Sequence, residues 1–558
     1  MYGNGCIEHG SPARIPAAGL ILLALLVSPV GAQQRKFYDD DPIAREPAAS
    51  DASGAISRDI DLMYDLGRNL FALPRNPVLV RAQNINSIDE VPDSEWFTNR
   101  ILARLIGIDE AARGPDTGGG PAPGKLIVTH AKRSGVTPGF TVKDTAGRVW
   151  FVQFDAPGMP EAASGATVVA TKLFYLLGYF QSENYISYLD PAKLEIDKQA
   201  EVDTPSNRVR PMTFDDIRKV LARANKRPDG TYRMLASLAI PGRIVGGFKY
   251  YGTRADDPND IVPHEHRREL RALKVFGAWT NLVDMKALNT LDTVITENGR
   301  GVIRHYLQDV GSTFGTGALA PREWDEGYEY IFEGDKALKR LVTLDFYIQP
   351  WQTIPYRQFK SIGRFEGDYF KPEEWRPRVP AAAMLNARAD DSFWAARRVM
   401  AFSNEMIRAI VRAGQYSDPA AEQYLADVLI KRRDKIGKAY LPAVNPLVNF
   451  QLDGSGVLTF ENAAVNAGFA PAPRGGYEAR WYLFDNDGGS SSPVGSPVVS
   501  PGLKIPAPAG LPTRDGLFIR IEVAAIDPAN STWAIPVKVY FRRLATGWKL
   551  VGLERMPD

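Results

Sequence analysis

Apolar residues recur along this chain with a period that changes twice, and each change marks a change of structure. Between residues 126 and 155 the runs are short and separated by turn formers: Leu126-Ile-Val-Thr-His130, Gly139-Phe-Thr-Val-Lys-Asp144 and Val149-Trp-Phe-Val-Gln-Phe-Asp155. They predict three short strands of an antiparallel sheet. From Glu161 to Leu177 the apolar positions fall at helical spacing, and Gly178 supplies the stop. A short amphipathic helix is predicted over 214–224, then a strand from Arg233 that turns at Pro241-Gly242. A helix over 264–279 carries Leu270, Leu273, Phe276 and Trp279 on one face, and a strand over 302–308 and two helical stretches, 391–413 and 419–439, follow. From about Leu441 the runs shorten again, in 448–452, 456–460, 477–484, 517–523, 534–541 and 548–554, between Gly, Pro, Asn and Ser clusters. This pattern predicts a small β-sandwich module, with Asp485 to Pro493 as a long exposed loop. The fold class expected is therefore α+β, with a C-terminal all-β sandwich-like domain.

The N-terminus bears on compartment. Gly19-Leu-Ile-Leu-Leu-Ala-Leu-Leu-Val27 is too short to span a bilayer; Arg14 precedes it and Pro29-Val-Gly-Ala32 offers small residues for a signal peptidase. Residues 1–32 are expected to be a signal peptide, with retention as a signal anchor as the other reading, and the protein is expected to be exported, periplasmic or extracellular. No later run is long enough for a second span. The only cysteine, Cys6, lies before the apolar core, so the processed chain would carry no thiol. Residues 33–125 divide into a polar, alanine-rich leader to about Ser53, expected to be flexible, and a partly buried extension that ends in a Gly- and Pro-rich linker from Gly114 to Gly124. With 44% hydrophobic and 24% charged residues and a net charge of +2, the composition is that of an ordinary globular protein. No basic block with interleaved aromatics supports nucleic-acid binding.

The chemistry lies in Asp284-Met-Lys-Ala-Leu-Asn289 and Asp309-Val-Gly311. A phosphoryl-transfer site of the protein-kinase kind needs a carboxylate to orient the attacking hydroxyl, a Lys two residues on, an Asn three beyond that, and then a strand delivering a metal-binding carboxylate followed by Gly. Asp284 and Lys286 take the catalytic places, and Asn289 and Asp309 the metal places, for Mg2+ and ATP. The His-Arg pair usual before the Asp is Leu282-Val283 here. The structural reading of the same residues is an Asp and an Asn capping turns between a helix and a β-hairpin. Asp292 is an additional candidate ligand.

Sheet followed by helix over 126–178 is the order of a kinase small lobe, so residues 126–440 are expected to form a two-lobed kinase-like domain and residues 441–558 the β-module. Gly135 and Gly139 stand where a loop could fold over phosphates, although a plain hairpin would use them too. Glu161 is the one carboxylate of the following helix able to approach the sheet, or it serves only the helix dipole. At the strand position where a Lys should meet the nucleotide stands Gln153, a neutral amide. Lys132 or Lys143 would have to supply that charge, or nucleotide binding is lost.

Other features have plainer readings. His264 and His266 cap a helix rather than chelate; Asp256, Asp257 and Asp260 form a solvated turn rather than a cation loop; the aromatics from Phe346 to Trp375 pack a core rather than line an acceptor groove. Lys431-Arg-Arg-Asp-Lys435 is a solvated helix face. The runs 89–100, 135–140, 151–157 and 257–271 resemble a group of exported bacterial proteins, over roughly residues 60 to 430, and the resemblance implies a Lys where this chain has Gln153. More distantly, the DxKxxN and Asp-x-Gly pair is similar to atypical kinases of the HipA and CotH types. That likeness implies two lobes and Mg-ATP chemistry, with Asp284 orienting an acceptor, Lys286 neutralising phosphate, and Asn289 and Asp309 holding magnesium. Two functions are therefore expected: phosphoryl transfer from nucleotide to a protein or small-molecule hydroxyl, or a catalytically silent kinase-like scaffold that binds protein or glycan in the envelope.

Overall fold

The computed structural model describes residues 35–73, 77–132, 137–203, 209–317, 319–333, 336, 342 and 348–556. The expected signal segment, with Cys6, and the loop glycine Gly135 lie outside the described residues.

The strands β1 (Leu126–Ala131), β2 (Gly139–Lys143) and β3 (Val149–Phe154) form where the alternation predicts them. They belong to a larger sheet with β4 (Asn184–Leu189), β5 (Leu194–Asp203), β6 (Val209–Pro211) and β7 (Tyr232–Leu238), in the order β4-β7-β3-β2-β1-β5-β6. All its pairings are antiparallel except β1 with β5. Alternation puts Phe140, Val142, Trp150, Val152 and Phe154 on one face, where Ile217 and Leu221 of helix α4 (Phe214–Leu221) complete a core. A helix on the opposite face, α3 (Ala162–Leu177), ends at Gly178 with φ 124°, the stop the sequence predicts. Two shorter helices precede it, α1 (Leu62–Gly67) and α2 (Ile108–Arg113).

A second sheet has the order β10-β9-β8, from β8 (Arg243–Gly246), β9 (Leu291–Glu297) and β10 (Arg300–Tyr306). Helix α5 (Arg268–Thr280) leads into it, preceded by a 3-10 turn at His264–His266. After α6 (Ala382–Leu385), the stretch expected as one helix over 391–413 is two, α7 (Ala389–Met400) and α8 (Asn404–Arg412), because Ser403 caps a new start with its side chain on the Met406 N–H. The long α9 (Pro419–Tyr440) follows.

The C-terminal strands make two antiparallel sheets. One is β11-β12-β16 from β11 (Leu447–Leu452), β12 (Val457–Asn462) and β16 (Lys504–Pro506). The other joins β14 (Ser491–Pro493), β13 (Tyr477–Phe484), β17 (Phe518–Ala525), β18 (Val537–Leu544) and β19 (Gly547–Glu554), with β15 (Val498–Ser500) also on β13. Their inner residues, among them Leu458, Ile505, Ile521 and Phe541, belong to the same continuous core as Leu173, Phe276, Trp394 and Leu429 of the helices. Buried Arg555 ties the chain end to that junction, donating to the Asn445 and Leu447 carbonyls.

Three expectations are corrected. The leader is not free: Phe37 enters a cluster with Phe484, Phe518 and Tyr540, and Asn486 holds both its N–H (2.9 Å) and its C=O (2.8 Å). The same bonds turn part of the loop after Asp485 inward. The charge run on α9 is not all solvated either. Arg432 is buried, donates to the Glu366 and Ala278 carbonyls, and lies 4.2 and 4.1 Å from the ring centres of Phe365 and Phe370.

Candidate functional site

Helix α5 stops at Asn281, which takes the left-handed conformation (φ 55°) and turns the chain out of the helix. Beyond it burial alternates: Val283, Met285 and Ala287 point inward, Asp284 and Lys286 outward. Met285 packs where Gly277 of α5 leaves room for it; a Cβ at Gly277 would run into its Cε. Asp284 and Lys286 thus share one side, with the Lys286 ammonium 3.1 Å from Asp284 Oδ2. A 3-10 turn (Ala287–Asn289) folds Asn289 back, its N–H bonding to the Lys286 C=O at 2.9 Å. The Asn289 amide nitrogen then donates to the Asp284 C=O at 2.6 Å. This uses the donor end of the amide and leaves its oxygen for other partners.

The β9–β10 hairpin returns the chain beside this turn. The N–H of Asp309 donates to the Asn289 C=O at 3.1 Å, so the two motifs, on either side of the hairpin, meet through one backbone bond. Asp309 is exposed, and its Oδ1 accepts the Gly311 N–H at 3.0 Å. Gly311 is required there: an added Cβ would come within 2.7 Å of Thr167 Oγ1 on α3 and 3.3 Å of Asp309 Oδ1. The Asp309 turn therefore lies directly against the first half of α3. Tyr250, buried nearby, has its phenol pushed well above the usual range by burial and by the carboxylates of Asp284 and Asp65.

From the sheet side, Gln153 and Gly139 face each other across β3 and β2. Gln153 lies on the face opposite the α4 core and is half-buried. The missing side chain of Gly139 is accounted for by strand packing, since a Cβ would strike the Val152 carbonyl oxygen. Glu161 does not approach the sheet. It sits at the α3 N-terminus with φ 68°, and its carboxylate accepts the Ser417 N–H at 2.8 Å. Arg233 reinforces the same attachment through the Gln415 and Gly414 carbonyls at 2.7 and 2.5 Å.

The Lys the β3 position lacks has a candidate at the end of β1. Lys132 is half-buried, and among the described residues no carboxylate lies within ion-pair distance of it. Burial lowers its pKa, and Asp309 is the carboxylate that opposes this. Lys143 is exposed at the opposite end of these strands, paired with Ile127 and Val149. The sequence offered both lysines; the strand register separates them. Thr167 was missed, because a hydroxyl on a helical face carries no motif.

Asp292 is not part of this site. It is fully buried, with Arg254 at 3.2 Å and His305 Nδ1 at 2.7 Å. His305 stacks on Trp96, ring centres 3.5 Å apart. Asp257 and Asp260, expected in a solvated turn, are buried in the same region, and Asp260 meets His264 Nε2 at 2.7 Å and the Arg254 N–H at 2.6 Å. A cavity of about 20 Å³ there, lined by Glu46, Asp257, Asp260, Arg267 and His305 among others, is room for about one water. Among the described residues no three His, Cys, Asp or Glu side chains are grouped as a metal site, and no helix is long and apolar enough to cross a membrane.

No protein-family model and no curated protein matches the chain. Among solved structures it is similar to the Golgi casein kinase, at 11% identity and a TM-score of 0.27, over 71% of this chain and 96% of that one. A structure of the Golgi casein kinase with Mn and ADP bound gives the same identity and score, over 71% and 95%. A kinase thus stands among its structural neighbours, but a TM-score of 0.27 carries no argument. The functional reading rests instead on Asp284, Lys286, Asn289 and Asp309.

Proposed function

We propose that this protein is a kinase-like phosphotransferase that moves the γ-phosphoryl group of ATP to a hydroxyl of a protein or small molecule. The observation that carries this reading is the Asp309 N–H to Asn289 C=O bond, which joins the two halves of the DxKxxN and Asp-x-Gly pattern at one solvent-facing place. In this reading the sheet β1–β7 with α3 is one lobe, α5 with α7 to α9 is the other, and the site lies between them. The Asp284 carboxylate orients the acceptor hydroxyl and takes its proton as the new O–P bond forms and the bond to the β-phosphate oxygen breaks, releasing ADP. Lys286, already beside Asp284, neutralises charge on the transferred group.

A magnesium ion fits the oxygens on offer: the amide oxygen of Asn289, whose nitrogen is engaged elsewhere, and the exposed Asp309 carboxylate. When bound, the ion would offset the negative charge of the phosphates. The Gly311 N–H fixes one Asp309 oxygen, which orients the other. Export through the N-terminal segment is the address that goes with this reading, with the C-terminal sheets as a sandwich-like module for a partner.

The silent scaffold is the second reading, favoured by Gln153 and by the absence of any acidic residue within α3 to hold a Lys at that place. Thermal unfolding of the full chain with and without millimolar Mg-ATP separates the two. Nucleotide at about 100 times its Kd adds about 2.7 kcal/mol to stability. A shift in the wild type that disappears in Asp309→Ala supports the phosphotransferase; no shift in either leaves the scaffold.

A further inference from the structure

We propose that Lys132 is the residue that binds the nucleotide phosphates, taking over from the β3 position that Gln153 occupies. This rests on the phosphotransferase reading and names a binding residue for that site.

A Lys on β3 needs a carboxylate on α3 to hold its stem in place, since an uncompensated buried charge is costly. Here both partners are absent. Gln153 is neutral, α3 has no acidic residue from Ala162 to Leu177, Glu161 is engaged by the Ser417 N–H, and the α3 residue against the Asp309 turn is Thr167. A loss confined to Gln153 would leave a stranded carboxylate; instead the whole pair is neutral.

The positive charge enters from a different strand of the same sheet. In the β1–β2 ladder Ala131 pairs with Phe140, and in the β2–β3 ladder Gly139 pairs with Gln153. Lys132, the next residue after Ala131, therefore emerges at the same end of the sheet as Gln153. Lys143 leaves at the other end, beside Ile127. Lys132 is half-buried yet, among the described residues, has no carboxylate in ion-pair distance, while Asp309 is the acidic group whose field reaches it. A half-buried lysine with no carboxylate in ion-pair distance, within the field of an exposed carboxylate of a metal-binding pattern, is placed for an anion that arrives with the ligand. Phosphates lying between Lys132 and a metal on Asp309 meet that description.

The test is calorimetric titration of the full chain with Mg-ATP and, separately, with adenosine, for the wild type, Lys132→Met, Lys132→Arg and Lys143→Met. Loss of one charge-assisted contact predicts that Lys132→Met binds ATP roughly tenfold to a hundredfold more weakly, with adenosine affinity unchanged. Lys132→Arg should retain most of the ATP affinity, and Lys143→Met all of it. Circular dichroism melting without nucleotide should show that Lys132→Met folds as the wild type does. If the wild type binds ATP and Lys132→Met binds it equally well, or loses adenosine in parallel, the role of Lys132 is overturned and the phosphotransferase reading stands. Failure of the wild type to bind ATP overturns both.

Discussion

Asp309 and Asp292 lie at the same end of one β-hairpin, yet their carboxylates meet opposite surroundings. Asp309 follows β10, is exposed, and has one oxygen held by the Gly311 N–H. Asp292 sits within β9, fully buried, ion-paired with Arg254 and hydrogen-bonded to the His305 ring. Of these two carboxylates, the one available for chemistry is the one held by a backbone N–H at the surface, not the one buried against Arg254. An Asp already paired with a guanidinium and an imidazole has no charge left for a ligand.

Substitution should separate the two sharply. Asp292→Ala leaves Arg254 without its buried counter-charge and the His305 ring without its hydrogen-bond partner, and should cost about 3–5 kcal/mol in denaturant unfolding. A loss below about 1 kcal/mol would mean that water already compensates these charges.

Phe37→Ala extends the comparison to the leader, which sequence composition treats as free chain. Removing a buried Phe costs about 3–5 kcal/mol where the site cannot collapse. Because Phe37 belongs to a terminal segment, part of that cost should appear as local release, read as faster proteolysis between residues 35 and 58 with β11 to β19 still folded. Unchanged proteolysis would show that the remaining contacts hold the segment without it.

A third carboxylate lies between these extremes. Burial raises the pKa of Glu90, but Arg397 and Arg398 outweigh it and hold the carboxyl at about 2, below its usual 4.5. Because the folded value is depressed, its contribution to stability is full above about pH 4.5 and is lost as pH falls toward about 2. Glu90→Gln should therefore be less stable at pH 7 and lose less on going from about pH 5 to about pH 3, as measured by urea unfolding. An acid limb parallel to the wild type's would show that Glu90 does not contribute to it. The smallest effect on stability is expected at the candidate site itself. Asp309→Ala should change unfolding without ligand by no more than about 0.5 kcal/mol, while abolishing any Mg-ATP shift. A large loss without ligand would make Asp309 a structural residue.

Much of this was legible locally. The offsets within Asp284, Lys286 and Asn289 are short enough that one turn realises them, and alternation located β1, β2, β3 and β10. Asp292 misled because its partners are Arg254, well before it in the chain, and His305 across the hairpin. Arg432 misled for the same reason: its helix reads as charged and solvated until Phe365 and Phe370 close over the guanidinium.

Residue order was enough for the local periods, the stop at Gly178, the longer strands of the C-terminal sheets (β11, β12, β13, β17, β18 and β19, but not the three-residue β14, β15 and β16) and the succession of polar groups from Asp284 to Gly311. Those depend on interactions within a few residues, where spacing and backbone preference suffice. Pairing and packing beyond the local sequence were needed for the hairpin to bring Asp309 to Asn289, for Glu161 to turn to Ser417, for Lys132 rather than Lys143 to emerge at the same end of the sheet as Gln153, and for Asp292 to be spent on Arg254 and His305. A side chain's availability is set by which distant charge or N–H reaches it first, and that is a property of packing.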